Sequence, residues 1–228
     1  MDQQQVNALL QTIEDDCRYT SRYTGIQAFK PEVMDALAKV SREEFVPDQL
    51  KPWAYENNPL PIGNGQTISQ PFIVALMTDL LNAGKNDKIL EVGSGSGYQA
   101  AILSLLAAKV YSIEIIGILA AQAAQRLARL GFGNVEVRHG DGYRGWPEHA
   151  PFDGIIVTAA ANHVPPRLQE QLKPGGRLVL PVGYPHMGQD LLLLEKDQAG
   201  RLTSRTILSV AFVPLTGEAL LVRTDNPA

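Results

Sequence analysis

The chain has 228 residues, of which 45% are hydrophobic and 19% charged, with a formal net charge of -4. This predicts one ordinary folded domain and excludes disorder and collagen-like repeats. The acidic balance argues against a broad basic surface for nucleic acid, and the single cysteine, Cys17, excludes an internal disulfide framework or a thiolate-rich metal site.

The opening MDQQQVNALLQTIEDD has an acid at position two and no basic stretch ahead of a long apolar run. No secretory leader is expected, and a cytoplasmic location is. No apolar run is long enough to cross a bilayer; LLLL at 191–194 is far too short. VNALLQTI reads as a short amphipathic helix, which the β-branched, aromatic and turn residues of CRYTSRYTG (17–25) are expected to break. Pro31 opens a second helix, PEVMDALAKV, with Val33, Leu37 and Val40 on one face. Between Pro47 and Pro71 stand five prolines and two glycines, together with Trp53, Tyr55 and Ile62. That stretch reads as a long ordered loop or lid, with packing the expected use of its aromatics.

From Pro71 the pattern becomes regular. PFIVALMTDLL reads as a helix, KILEV as a buried strand, 97–108 as a helix and KVYSIE as a strand. GILAAQAAQRLARLG follows as a helix closed by Gly131, then VEVRHG and DGIIVTA as strands, VPPRLQEQL as a short helix and GRLVLPV as a strand. This alternation predicts an α/β fold with a doubly wound, Rossmann-like, mostly parallel sheet. After Gly188, LLLLEK and LTSRTILSVAFVPL read as consecutive strands separated by a turn, which predicts an antiparallel C-terminal edge.

The sharpest local signal is Glu91-Val92-Gly93-Ser94-Gly95-Ser96-Gly97-Tyr98, between a strand and a helix. Glycines there permit a tight turn and close approach of a ligand to backbone. The spacing is G-x-G-x-G rather than the dinucleotide G-x-G-x-x-G; no P-loop and no G-x-S-x-G is present. S-adenosylmethionine suits the pattern better than a diphosphate. A helix N-terminus could take its carboxylate, Glu91 could face its ammonium, Glu114 its ribose and Asp141 its adenine amine. Strand-end acids serving only as solvated surface are the plainer alternative, and a dehydrogenase stays open as the more distant one.

SREEFVP (41–47), PLPIGNGQTISQP (59–71), ILEVGSGSGYQAAIL (89–103), HGDGYRGW (139–146), APFDGIIVTAAA (150–161), LKPGGRLVLPVG (172–183) and FVPLTG (212–217) occur in this order. Together they resemble the protein-L-isoaspartate O-methyltransferase family over roughly Gly25 to Gly217. The glycine loop and LKPGGRLV are shared by many methyltransferases; GQTISQP and FVPL are far more specific. The N-terminal two dozen residues, Ser41 and Ile115 depart from the family's pattern.

The resemblance implies methyl transfer from S-adenosylmethionine, leaving S-adenosylhomocysteine, to the free carboxyl of L-isoaspartyl residues in damaged proteins, the first step of their repair. It implies residues 71–228 as the cofactor-binding core, with 1–70 supplying helices and a substrate loop to the same domain. It assigns Ser69 as catalytic, a hydrogen-bond donor rather than a nucleophile; capping of the helix that begins near Pro71 is the alternative for that side chain. Cofactor-binding positions are Glu91, Gly93, Ser94, Gly95, Gly97, Glu114, Asp141 and Gly142. Substrate-binding positions are Ile62, Gln66, Thr67, Ile68, Ala160, Val213, Pro214 and Leu215, with small residues at 159–161 letting a peptide approach closely. The partners implied are isoaspartyl-containing peptides and proteins, with no metal, nucleic acid or membrane; a monomer is favoured. Histidines 139, 149, 163 and 186 lack metal-ligand spacing, Trp146 is expected to pack its loop, and Arg126 and Arg129 read as a solvated face. Another methyltransferase of the same fold, or a silent cofactor-binding protein, remains open.

Overall fold

The computed structural model describes residues 2–184 and 187–217. Its N-terminal helix α1 runs from Gln3 to Thr24, capped by the Asp2 carboxylate at the Gln4 amide and closed by Gly25 at φ +75°. Val6, Leu9, Ile13 and Cys17 form its buried stripe. The expected break at 17–25 does not occur. Tyr19 and Tyr23 project into solvent, and the hydroxyls of Thr20, Ser21 and Thr24 donate back to the carbonyls of Asp16, Arg18 and Thr20. The hydroxyl residues that disfavour a helix interior are thus satisfied on the helix's own carbonyls, even at the buried Thr24, while the two tyrosines stay on its exposed face.

Helix α2 (Pro31–Lys39) follows, then two 3₁₀ turns at Arg42–Phe45 and Asp48–Trp53. The proline-rich stretch then folds into a hairpin, β1 (Leu60–Gly63) and β2 (Gln66–Ile68). Asn64 and Gly65 both have positive φ (53° and 71°), which suits a primed two-residue turn. Helix α3 (Pro71–Leu81) is buried along almost its whole length.

The remaining elements are β3 (Lys88–Val92), α4 (Tyr98–Ser104), β4 (Lys109–Glu114), α5 (Gly117–Arg129), β5 (Val135–His139), β6 (Phe152–Val157), α6 (Pro166–Glu170), β7 (Leu172–Gly183), β8 (Gln189–Lys196) and β9 (Leu202–Val210). Helix α4 stops at Ser104, short of the predicted Ala108, and Asn134 Nδ2 takes up the Ser104 and Ala107 carbonyls. The sheet order is β5-β4-β3-β6-β7-β8-β9, parallel from β5 to β7 and antiparallel from β7 to β9. The chain therefore reverses its winding direction at β3, the position where open α/β sheets bind ligands.

Successive strand residues feed opposite faces. Ile89, Val110, Ile156 and Val179 pack with α1–α4, so the first seventy residues share that core; Leu90, Val92, Ile155 and Val157 pack with Tyr143, Trp146 and Leu168 on the other side.

Candidate functional site

A cleft lies over the C-terminal ends of β3 and β4. The glycine loop forms its floor, β2 and Ser69 one wall, and residues 213–216 another. Gly93 has φ +98°, and a Cβ there would meet Thr158 Oγ1 at 2.5 Å, so the turn requires glycine twice over. The amides of Gly93 and Ser94 donate to Ile113 O, that of Gly97 to Ser94 O, and that of Gly95 to Glu114 Oε2. These four amides are engaged in shaping the loop rather than held open as an anion cradle. Glu114 also accepts the Ile116 N–H through Oε1. Each of its oxygens keeps a further lone pair, and the residue borders the cleft.

Of the residues assigned to the cofactor, Gly93, Ser94, Gly95, Glu114 and Gly142 line the cleft, whereas Glu91, Gly97 and Asp141 do not. Glu91 follows Leu90 and precedes Val92, so the strand alternation turns its side chain away from theirs and under α4. It is 0% exposed, and Ser112, its neighbour across the β3–β4 ladder, donates to Oε2. Ser112 Oγ lies 2.5 Å from Ser94 Oγ, so a chain of polar contacts runs from the loop down to Glu91. Oε1 has no partner. Burial raises the Glu91 pKa to about 8, with Glu114 adding to the rise and the Ser112 hydroxyl and Ala100 amide opposing it. A neutral carboxyl under the loop does not fit a direct contact with a ligand's ammonium. Gly97 instead lets α5 approach, a Cβ there lying 3.2 Å from Leu127. The Asp141 carboxylate accepts the Tyr143 N–H (2.9 Å) and packs closely against Gly217.

Ser69 sits where this cleft meets a second groove, and Thr67, Thr158 and Val213 also border both. It does not cap α3. Gln70 occupies the cap position without a side-chain bond, and Asn57 Oδ1 accepts the Phe72 N–H instead. Among the described residues the Ser69 hydroxyl has no hydrogen-bond partner. Its carbonyl accepts from Arg42 Nη2 at 3.0 Å. Arg42 is 0% exposed and also donates to Ala54 O and Asn58 O. Burial brings its pKa down to about 10, which leaves it cationic at neutral pH, and none of its described partners is a carboxylate. The sequence reading missed this residue.

Gln66, Thr67, Ile68, Val213, Pro214 and Leu215, assigned to the substrate, line the same cleft as the glycine loop. Ile62 instead packs over Gly95 and borders a neighbouring groove beside α5. The Ala160 backbone is occupied by this chain itself: its N–H donates to Val213 O and its carbonyl accepts from Leu215, both at 2.8 Å. Ala160 thus admits the chain's own segment 213–215 and Ala161 pairs with Pro181 and Gly183 of β7, while Ala159 borders the cleft.

Arg126 is not a solvated residue, since its Nη1 donates to Ser96 O at 2.7 Å and so braces the loop; Arg129 pairs with Glu44. Trp146 is buried with Arg138 over its ring, whereas Trp53 is 47% exposed, against the packing expected of it. His139 Nε2 lies 3.0 Å from Ile115 O, and His186 falls outside the described residues. Among the described residues no group of three or more His, Cys, Asp or Glu could hold a metal ion, and no helix is long and apolar enough to cross a membrane.

A glycine-floored cleft at the winding reversal of this sheet, bordered by an acid at the end of β4, is the nucleotide-binding arrangement of Rossmann-like folds, the methyltransferases among them. The sequence profile of the protein-L-isoaspartate(D-aspartate) O-methyltransferases matches residues 20–220. A protein-L-isoaspartate O-methyltransferase of Syntrophobacter fumaroxidans is 62% identical over 209 residues, 92% of this chain and 85% of the relative. A solved protein-L-isoaspartate O-methyltransferase superposes with TM-score 0.79 at 29% identity, over 93% of this chain and 66% of that one. A Plasmodium falciparum structure described as of the same activity, in complex with S-adenosyl-L-homocysteine, has TM-score 0.73 at 23% identity, over 90% and 97% of the two chains, and shows the shared fold. The chain belongs to the protein-L-isoaspartate O-methyltransferase family. Its activity is transfer of a methyl group from S-adenosylmethionine to L-isoaspartyl carboxyls in damaged proteins.

Proposed function

We propose that Ser69 orients the isoaspartyl carboxylate at the junction of the two clefts, with the cofactor on the glycine-loop side and the substrate peptide on the other. The observation that carries this reading is the Ser69 hydroxyl at that junction, without a hydrogen-bond partner among the described residues, on a backbone carbonyl held by Arg42. The residues of the first cleft fit the cofactor: Glu114 has lone pairs for a ribose diol, and the glycine floor leaves backbone rather than side chains against the ligand. When bound, S-adenosylmethionine supplies an electrophilic methyl group on a sulfonium.

The free carboxyl of an isoaspartyl residue is an α-carboxyl, with an ordinary pKa of about 3.3–3.7, so it is already ionised at neutral pH. No general base is required. Ser69 donates to one carboxylate oxygen and leaves the other to attack in line. The Arg42 charge behind Ser69 favours an anion there, and β2 with residues 213–216 walls the site against water. Val213, Pro214 and Leu215 contact the substrate, while Ala160 holds them in place. A monomer acting in the cytoplasm on protein substrates, without nucleic acid or membrane, belongs to the same reading; the net charge of -4 supports the exclusion of nucleic acid.

The test is transfer of labelled methyl to paired peptides that differ only in L-isoaspartate or L-aspartate. Base-labile label is expected on the first alone. Ser69→Ala is expected to lower turnover about ten- to a thousandfold, or about 1.4–4 kcal/mol, with S-adenosylhomocysteine affinity retained. Wild-type turnover in the variant would remove Ser69 from the mechanism.

A further inference from the structure

Beyond Ser69 the cleft opens into a groove between α1 and the C-terminal end of β9. Phe72, Leu208, Val210 and Phe212 make much of its surface apolar. Asp16, on α1, is the one charged side chain among the described residues that line it. Asp16 and Thr20 stand one helical turn apart, at the border of the buried stripe of α1.

The Asp16 carboxylate is half-buried and fixed in place. Its Oδ2 accepts from Asn57 Nδ2 at 2.7 Å, and Asn57 is itself held by the Phe72 amide at the start of α3. No lysine or arginine among the described residues pairs with Asp16. The groove is therefore polarised, with the buried Arg42 cation behind Ser69 at one end and an unneutralised carboxylate on the α1 wall. Apolar surface lies between them, suited to the methylene stem of a long cationic side chain.

We propose that Asp16 gives this enzyme a preference for isoaspartyl sites with a lysine or arginine nearby in sequence, whose cationic head meets the Asp16 carboxylate. The proposal rests on the assignment of this groove to the substrate peptide. Because the residue doing the selecting lies on α1, the N-terminal helix becomes a specificity element of the site.

The test uses an alanine-based isoaspartyl hexapeptide with one lysine, norleucine or glutamate walked through the positions on either side of the isoaspartate. The readout is kcat/KM for labelled methyl transfer, taken as the lysine-to-norleucine ratio within each protein. For the wild type, at least one position is expected to favour lysine by about two- to fivefold, the range of a solvent-accessible ion pair, and to disfavour glutamate. The preference should shrink in high salt. Asp16→Asn, which keeps an acceptor for Asn57, is expected to bring the ratio to one. A ratio of one at every position in the wild type overturns the proposal, as does a lysine preference that survives in the variant. A Ser209→Trp variant, which fills the groove from its exposed wall, is expected to raise KM for the norleucine parent peptide; an unchanged KM overturns the substrate assignment of the groove itself, so the two failures are distinguishable.

Discussion

Glu91→Gln tests the buried acid in a way that separates it from every other titrating group. The native state holds the Glu91 proton up to about pH 8, whereas an unfolded chain releases it near the ordinary value of 4.5. Between those limits the native protein binds one proton more than the unfolded one, so its stability falls as pH rises. The glutamine variant has the same shape and cannot titrate, so this part of the slope disappears. The full span corresponds to at most about 5 kcal/mol at 1.36 kcal/mol per pH unit. Water entry and relaxation around Oε1 reduce that figure, so the variant is expected to gain a few kcal/mol on the wild type between pH 5 and pH 8.5. For a chain of this size that is roughly 5–15 °C in Tm. Urea denaturation of both proteins across this range gives the difference directly, since all other groups titrate alike in the two. Parallel stability curves would show that Glu91 is ionised in the native state and would refute the reasoning.

Arg42→Lys replaces a planar fork that serves three carbonyls with a point donor that cannot span them. Loss of two charge-assisted bonds at roughly 1.5–3 kcal/mol each predicts destabilisation by about 3–6 kcal/mol. It also predicts a lower kcat with little change in S-adenosylhomocysteine affinity; denaturation, kinetics and calorimetry check the three, and wild-type stability and kcat would contradict them. Gly93→Ala forces a side chain into φ +98° and against Thr158 Oγ1 at 2.5 Å. Backbone strain of about 1–3 kcal/mol and a distorted cleft floor predict a lower Tm and at least tenfold weaker S-adenosylhomocysteine binding, to be read by calorimetry. Native affinity in that variant would mean that the floor is not in contact with the ligand.

The order of the α/β core was legible because buried parallel strands read as short apolar runs bounded by glycines, as ILEV before Gly93 and IIV after Gly154 do here. The hairpin was less so. Asn64-Gly65 is a strong turn signal, but the prolines around it obscured two strands of four and three residues. The full length of α1 was hidden because the hydroxyls that seemed to break it satisfy themselves on its own carbonyls. Arg42 was illegible for a different reason. A guanidinium becomes a core group only when carbonyls 12, 16 and 27 residues away converge on it, and nothing local announces that.

The orientation of Glu91, by contrast, could have been read from the strand. With Leu90 and Val92 committed to one face, residue 91 must face the other, beneath α4, whatever acid the glycine-loop pattern suggests for the ligand. The two acids of adjacent strands thus divide the work by burial. Glu114, at the end of β4, takes two backbone amides and borders the cleft. Glu91, one strand over, is held neutral and connects through Ser112 to Ser94 on the loop. A second full negative charge below the loop would sit beside the Glu114 carboxylate, which already adds to the rise of the Glu91 pKa. Burial of Glu91 removes that charge at neutral pH while keeping a polar anchor under the loop, which is why glutamine rather than an apolar residue is the substitution expected to be tolerated there.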